Sequence, residues 1–202
     1  MSSLNESTIL KIYMAGVFTS PYEVIEALDD YPYNLESYHY IGKGRYPNLL
    51  RESGVKVFLD SGAFSAYTKG VEIDLPKYVE YIQENEDVID FASVLDGIGD
   101  PEMTLKNQKE MERLGVSPLP CFHYGEDPKF LEYYIDNYEY ITLGGMVPIS
   151  SKDLQIWLDE IWGDYLTDEN GMPKLKVHGF GMTSMTLMFR YPWYSVDSFQ
   201  GS

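Results

Sequence analysis

Three aspartates stand directly behind short apolar runs: Asp60 after Val55–Leu59, Asp96 after Ile89–Leu95 and Asp197 after Trp193–Val196. Two converging carboxylates have a definite chemical use. One attacks or stabilises an anomeric carbon while the other gives or takes a proton, which is the logic of glycosyl transfer. A single aspartate behind a strand is more ordinary, because it caps the next helix or closes a turn. Only the set of three points to chemistry. Gly144-Gly145, ahead of Met146, follows Tyr140–Leu143, and Gly179 and Gly181 follow Leu175–Val177. Such glycines allow a tight turn, and they would also let a planar ligand reach the backbone. His39, His123 and His178 fall near the ends of apolar runs as well. Imidazoles with a carboxylate suit zinc, so a metal-dependent hydrolase is an alternative reading. No His-x-His pair supports it, and a satisfied structural histidine is the commoner outcome. Phe64, Tyr67 and Tyr124 follow the same runs, where they would stack on a flat base. The one basic stretch, Lys43-Gly44-Arg45 with Arg51, reads either as a solvated loop or as a weak phosphate contact.

These residues need a frame that brings strand ends together. The apolar runs are Ile9–Val17, Ser37–Ile41, Val55–Leu59, Ile89–Leu95, Leu119–Phe122, Tyr140–Leu143, Leu175–Val177 and Trp193–Val196. Several are nearly continuous, as strands covered on both faces tend to be. Between them lie helical patterns with recognisable starts. Asp74-Leu75-Pro76, Asp100-Pro101, Asp127-Pro128, Ser150 or Ser151, and Thr183-Ser184 open five of them, and Ser20-Pro21 opens another. Gly115 ends the one that begins at Pro101. Thr167–Lys174 is the clearest long loop, with Gly-Met-Pro as its turn. Eight buried strands alternating with helices predict an α/β fold, a compact (β/α)8 TIM-like barrel. Such a barrel places its functional residues at the C-terminal strand ends, which is where these aspartates, histidines and glycines fall. The pattern stops after the eighth strand, so no closing helix is expected. Residues 1–8 are expected to be a flexible segment and residues 9–202 one barrel domain.

Composition narrows the setting. With 15 Lys and Arg against 32 Asp and Glu, the formal charge of the 202 residues is −17. A broad basic nucleic-acid surface is excluded, since phosphate binding relies on clustered cations. The single cysteine, Cys121, excludes a disulfide framework and a multi-cysteine zinc site. No apolar run approaches the ~18–20 residues of a membrane span, and MSSLNEST is not a signal peptide. The expectation is a cytoplasmic protein with no membrane partner.

Asp60-Ser61-Gly62-Ala63-Phe64 resembles the Asp-Ser-Gly-Gly-Phe element of the tRNA-guanine transglycosylase superfamily, the queuine tRNA-ribosyltransferases. Asp96 sits where that family places a base-recognising aspartate, and Leu143-Gly144-Gly145 resembles its Leu/Ile-Gly-Gly segment. His178-Gly179-Phe180-Gly181 is similar to its Gly-Val-Gly stretch, and Asp197 falls at the nucleophile position. The resemblance runs in order over roughly Ile12 to Asp197. It implies exchange of guanine for a free 7-deazaguanine in nucleic acid, with Asp197 as nucleophile and Asp60 as general acid and base. Base contacts would come from Asp96, from Ser61, Gly62 and Phe64, from His123 in place of the family's Gln-Gly-Gly, and from Gly144, Gly145 and Met146. The exchanged base must first leave its stack. The zinc-binding cysteines of longer members are absent, so no cofactor and no metal is expected. The short form resembles the phage and DNA-modification type, in which DNA is preferred over tRNA and the setting is the host cytoplasm. With so acidic a chain, a homo-oligomer or a partner protein is expected to add nucleic-acid affinity, with Lys43, Arg45 and Arg51 as local contacts. A non-catalytic relative that only binds a deazapurine is the remaining alternative.

Overall fold

The computed structural model describes residues 9–28, 30–44 and 46–198. Eight strands form one sheet: β1 (Lys11–Ala15), β2 (Asn34–Ser37), β3 (Val57–Asp60), β4 (Ile89–Ala92), β5 (Cys121–His123), β6 (Tyr140–Gly144), β7 (Lys176–Gly179) and β8 (Ser195–Ser198). Their order is β4-β3-β2-β1-β8-β7-β6-β5. The pairings β1–β2, β2–β3, β3–β4, β6–β7 and β7–β8 are all parallel. Helices fill the connections: α1 (Tyr22–Leu28), α2 (Tyr38–Ile41), α3 (Tyr46–Ser53), α4 (Ala63–Thr68), α5 (Leu75–Glu84), α6 (Pro101–Arg113), α7 (Pro128–Asn137), α8 (Ser151–Ile161) and α9 (Met185–Arg190). This is the expected α/β, TIM-like fold. Residues 1–8, expected to be loose, and Arg45 lie outside the described residues. Among the described residues, no helix is long and apolar enough to cross a membrane.

The helix starts form as their sequences dictate. Asp74, Asp100, Asp127, Ser150 and Ser184 each accept a hydrogen bond from a backbone N–H of the first turn, those of Lys77, Met103, Lys129, Asp153 and Leu187. That satisfies donors with no partner inside the helix. Helix α6 stops where Gly115 takes φ +100°, a conformation side chains resist. Within Thr167–Lys174, Asp168 accepts from the amides of Asn170 and Met172 and closes the turn.

The second strand departs from expectation. The apolar run Ser37–Ile41 is a strand only at Ser37; Tyr38–Ile41 is helical, and β2 lies upstream at Asn34–Ser37. The displacement has a physical cause. Strand β2 buries two polar side chains, Asn34 and Glu36, so it carries no apolar signature. The aromatic residues that mimic a strand instead project from a helical turn, where Tyr38 packs on Tyr78 and Tyr81 at 4.9 and 5.1 Å between ring centroids. The run Ile89–Leu95 is regular only to Ala92; Ser93 then forms a parallel bridge to Leu119, ahead of β5.

Of the described residues, 14–121 form one compact unit, and 9–13 with 122–198 form the other. The first is built on Val17, Phe18, Leu50, Val57 and Val88, with Met14, Ile25, Leu28, Val55 and Ile89 packed against them. In the second, Trp162 stacks on Tyr191 and meets Trp193 edge-on. Gly179 lets β7 pass Trp193, whose ring would lie 2.9 Å from an added Cβ.

Candidate functional site

At the end of β8, Asp197 is 5% exposed, and its Oδ1 accepts from His178 Nε2 at 3.0 Å and from the Gly181 amide at 3.1 Å. His178, wholly buried on β7, faces Ser195 Oγ with Nδ1 at 2.7 Å, and Ser195 Oγ meets the Tyr140 hydroxyl at 2.5 Å. An ionised carboxylate only accepts, so His178 carries its proton on Nε2. If the imidazole is neutral, Nδ1 accepts from the Ser195 hydroxyl, and Tyr140 donates to Ser195. Burial pushes the Tyr140 phenol well above its ordinary range, with the Ser195 hydrogen bond opposing. The order Ser–His–Asp resembles a nucleophilic triad, but Ser195 is fully buried and bonded on both sides. It is a positioning residue. Tyr13 and Phe180 meet the imidazole edge-on and fix its plane.

The sequence reading found Asp197 and His178 and missed Ser195 and Tyr140. A signal existed: Ser195 and Asp197 are two apart, so they share one face of β8, and His178 is the register partner of Ser195.

At the ends of β5 and β6, the Tyr124 amide donates to the Gly144 carbonyl at 2.9 Å. Gly145 takes φ +68° and passes His123 closely; an added Cβ would lie 3.2 Å from His123 Cβ and the Tyr124 nitrogen. Gly145 therefore serves a close backbone approach within the protein. His123 Nδ1 lies 2.8 Å from Glu126 Oε1, and Glu126 Oε2 accepts from the His123 amide, so this imidazole is oriented from its own turn. Met146 is buried. Tyr124, expected to stack on a base, instead packs on Trp157 at 5.1 Å. Both nitrogens of His178 are engaged, whereas Glu126 engages only Nδ1 of His123.

At the ends of β3 and β4, Asp60 is the last residue of its strand. The Gly62 amide donates to its Oδ2 at 3.2 Å and Ser93 Oγ to its Oδ1 at 3.3 Å, while Ser93 Oγ accepts from the Ser61 amide at 3.0 Å. Tyr78, fully buried on α5, donates to the Ser93 carbonyl at 2.8 Å. Burial drives its phenol well up, and the charges of Asp60 and then Asp96 push the same way, so both aspartates act on one spot. Asp96 lies half-buried beyond the Ser93 bridge. The Ser61 side chain is buried and accepts from the Ala63 amide, whereas Phe64 and Tyr67 on α4 are 62% and 66% exposed. Gly62, at φ +75°, has no room for a Cβ, which would strike Ser37 Oγ and His39 Cβ.

Glu36 was not anticipated. It is 1% exposed on β2, and its Oε1 accepts from the Phe18 amide at 2.8 Å. Burial raises its carboxyl to about 7, against the opposing pull of that hydrogen bond. Of the basic residues, Lys43 and Arg51 are both exposed, but Arg51 is paired within the protein. Its guanidinium reaches Asp87 through two bonds of 2.8 and 3.0 Å and Asn85 at 3.0 Å.

No protein-family model matches the chain, and no curated protein matches its sequence. Among solved structures, it is similar to the tryptophan synthase A-subunit of the hyperthermophile Pyrococcus furiosus, with 11% identity and a TM-score of 0.50 over 95% of this chain and 87% of that one. The aldolase QR15 aligns over 95% of this chain and 90% of its own at 11% identity, with a TM-score of 0.46. At such identity the first likeness establishes the TIM-type fold and nothing of the activity.

Proposed function

We propose that the protein is a guanine transglycosylase-like enzyme that exchanges guanine for a 7-deazaguanine in nucleic acid, DNA in preference to tRNA. The observation that supports it best is the setting of Asp197. Two donors hold one carboxylate oxygen, and among the described residues nothing hydrogen-bonds the other. A carboxylate so fixed presents one oxygen to an electrophile without a conformational search.

The chemistry follows from the residues. The free oxygen of Asp197 bonds to C1′ of the nucleotide as the C1′–N9 bond breaks. The electron pair leaves with the guanine, and Asp60, having taken a proton from solvent before the step, delivers it to the base. Asp60, now ionised, takes the N9 proton of the incoming 7-deazaguanine. That nitrogen attacks C1′ and releases Asp197. Asp96 accepts from the N–H donors of the base edge, as an ionised carboxylate does.

The test is covalent trapping, read by intact-protein mass. The protein is incubated with a guanine-containing DNA oligonucleotide, and separately with tRNA, in the presence of a labelled 7-deazaguanine. Label enters DNA and an adduct forms with the parent. With Asp197→Asn both fall by about 10⁴-fold or more, the scale at which a nucleophile acts. Label incorporation by Asp197→Asn at the parental rate sinks the assignment, and base binding without any adduct points to a non-catalytic relative.

A further inference from the structure

In the unit of residues 14–121, Arg51, Lys56 and Arg113 are taken up by Asp87, Asp90 and Glu110. Lys43 and Lys69 are different. Among the described residues neither forms an ion pair with a carboxylate, yet both act on His39. Its imidazole is pushed below its ordinary value by burial first, then by Lys69 and Lys43. Lys69 lies over the ring of Tyr40 at 4.8 Å from its centroid and reaches the Tyr40 hydroxyl at 3.5 Å. That hydroxyl also bonds the side chain of Ser65 on α4. Two lysines thus crowd one imidazole beside α2, in a chain of net charge −17.

The same surface carries aromatics that the fold does not cover. Tyr40 is 47% exposed, Phe64 62% and Tyr67 66%. Phe64 and Tyr67 are three apart on α4 and so are neighbours on its surface. Crowded cations and bare rings are both unfavourable in water, and one kind of ligand relieves both. An unpaired polynucleotide offers a phosphate for each lysine and an open base face for each ring. A duplex hides those faces, and a lone phosphate uses none of the aromatics.

We propose that the surface of α2 and α4 binds a single-stranded nucleic-acid segment, with its phosphates on Lys43 and Lys69 and its bases against Phe64 and Tyr67. As an account of the acceptor strand this rests on the exchange reading; as a binding site it does not. Lys69 takes the part first expected of Arg51.

The test is fluorescence anisotropy of the full chain with a labelled oligothymidylate of about ten nucleotides, within the usual span of such sites, titrated across salt concentrations. Lys43→Ala with Lys69→Ala weakens binding about tenfold or more. It also reduces the slope of log affinity against log salt by about 1.4, at roughly 0.7 per phosphate contact. Phe64→Ala with Tyr67→Ala weakens binding to a similar degree and leaves that slope unchanged. Arg51→Ala binds as the parent does. The proposal is overturned if the lysine pair can be removed without loss, if the parent does not bind, if a duplex binds equally well, or if inorganic phosphate displaces the oligonucleotide at millimolar concentration. Oligothymidylate contains no guanine, so a failure of base exchange leaves these outcomes untouched.

Discussion

Glu36 on β2 and Asp197 on β8 are both strand carboxylates withdrawn from water, and their surroundings are opposites. Glu36 has one donor, the Phe18 amide, and burial holds its carboxyl near 7. Asp197 has an imidazole and an amide on a single oxygen, and behind the imidazole stand two hydroxyls in series. The fold accommodates the first by letting it keep a proton, and it builds a polar chain for the second. Degree of burial does not separate these two carboxylates; the supply of donors does.

The contrast can be broken experimentally. The largest effect on stability is expected for His178→Ala, which leaves Asp197 with a single donor and Ser195 without its acceptor in a buried setting. A loss of about 3–5 kcal/mol is expected, read from urea unfolding, and adduct formation falls with it. Parental stability in that variant would mean the chain does nothing for Asp197. Glu36→Gln acts the other way. The folded carboxyl is raised from 4.5 to about 7, so the unfolded state binds fewer protons between those values. The stability Glu36 contributes is therefore complete below pH 4.5 and is lost as pH rises through about 7. Glutamine keeps the acceptor for Phe18 without the charge. At pH 8 the variant is expected to gain on the order of 3 kcal/mol relative to ionised Glu36. Urea midpoints between pH 4.5 and pH 8 should fall for the parent and stay level for the variant. Gly62→Ala is expected to cost about 1–3 kcal/mol, because it strains one turn at φ +75° and crowds Ser37 Oγ and His39 Cβ. It should also weaken the amide bond to Asp60, which separates strand-end geometry from buried charge. Calorimetric unfolding checks it.

Much of the frame was legible because local chemistry marks it. Aspartate or serine at five helix starts named those helices before any contact was known. Asp60 and Asp197 could be located because each closes an apolar run. Strand β2 could not, since Asn34 and Glu36 break its pattern, and with it went any chance of finding Glu36. Ser195 and Tyr140 escaped for another reason: their roles come from register across β6, β7 and β8, which no single run of residues contains. Arg51 looked like a free cation because Asp87, which holds it, is 36 positions away. Tyr124 was read by its position behind a strand, and Trp157 on another element decides where its ring goes.

With His178 neutral, the hydrogen bonds from Tyr140 through Ser195 and His178 to Asp197 all run in one sense, set by the charge at the far end. If Asp197 becomes an ester during exchange, the charge that polarises the array disappears. The Asp197 Oδ1 is then a carbonyl, which still only accepts, so every link keeps its sense and is weakened. Hydroxyls that lie 55 positions apart in the chain loosen together when the charge at the tip of β8 is lost.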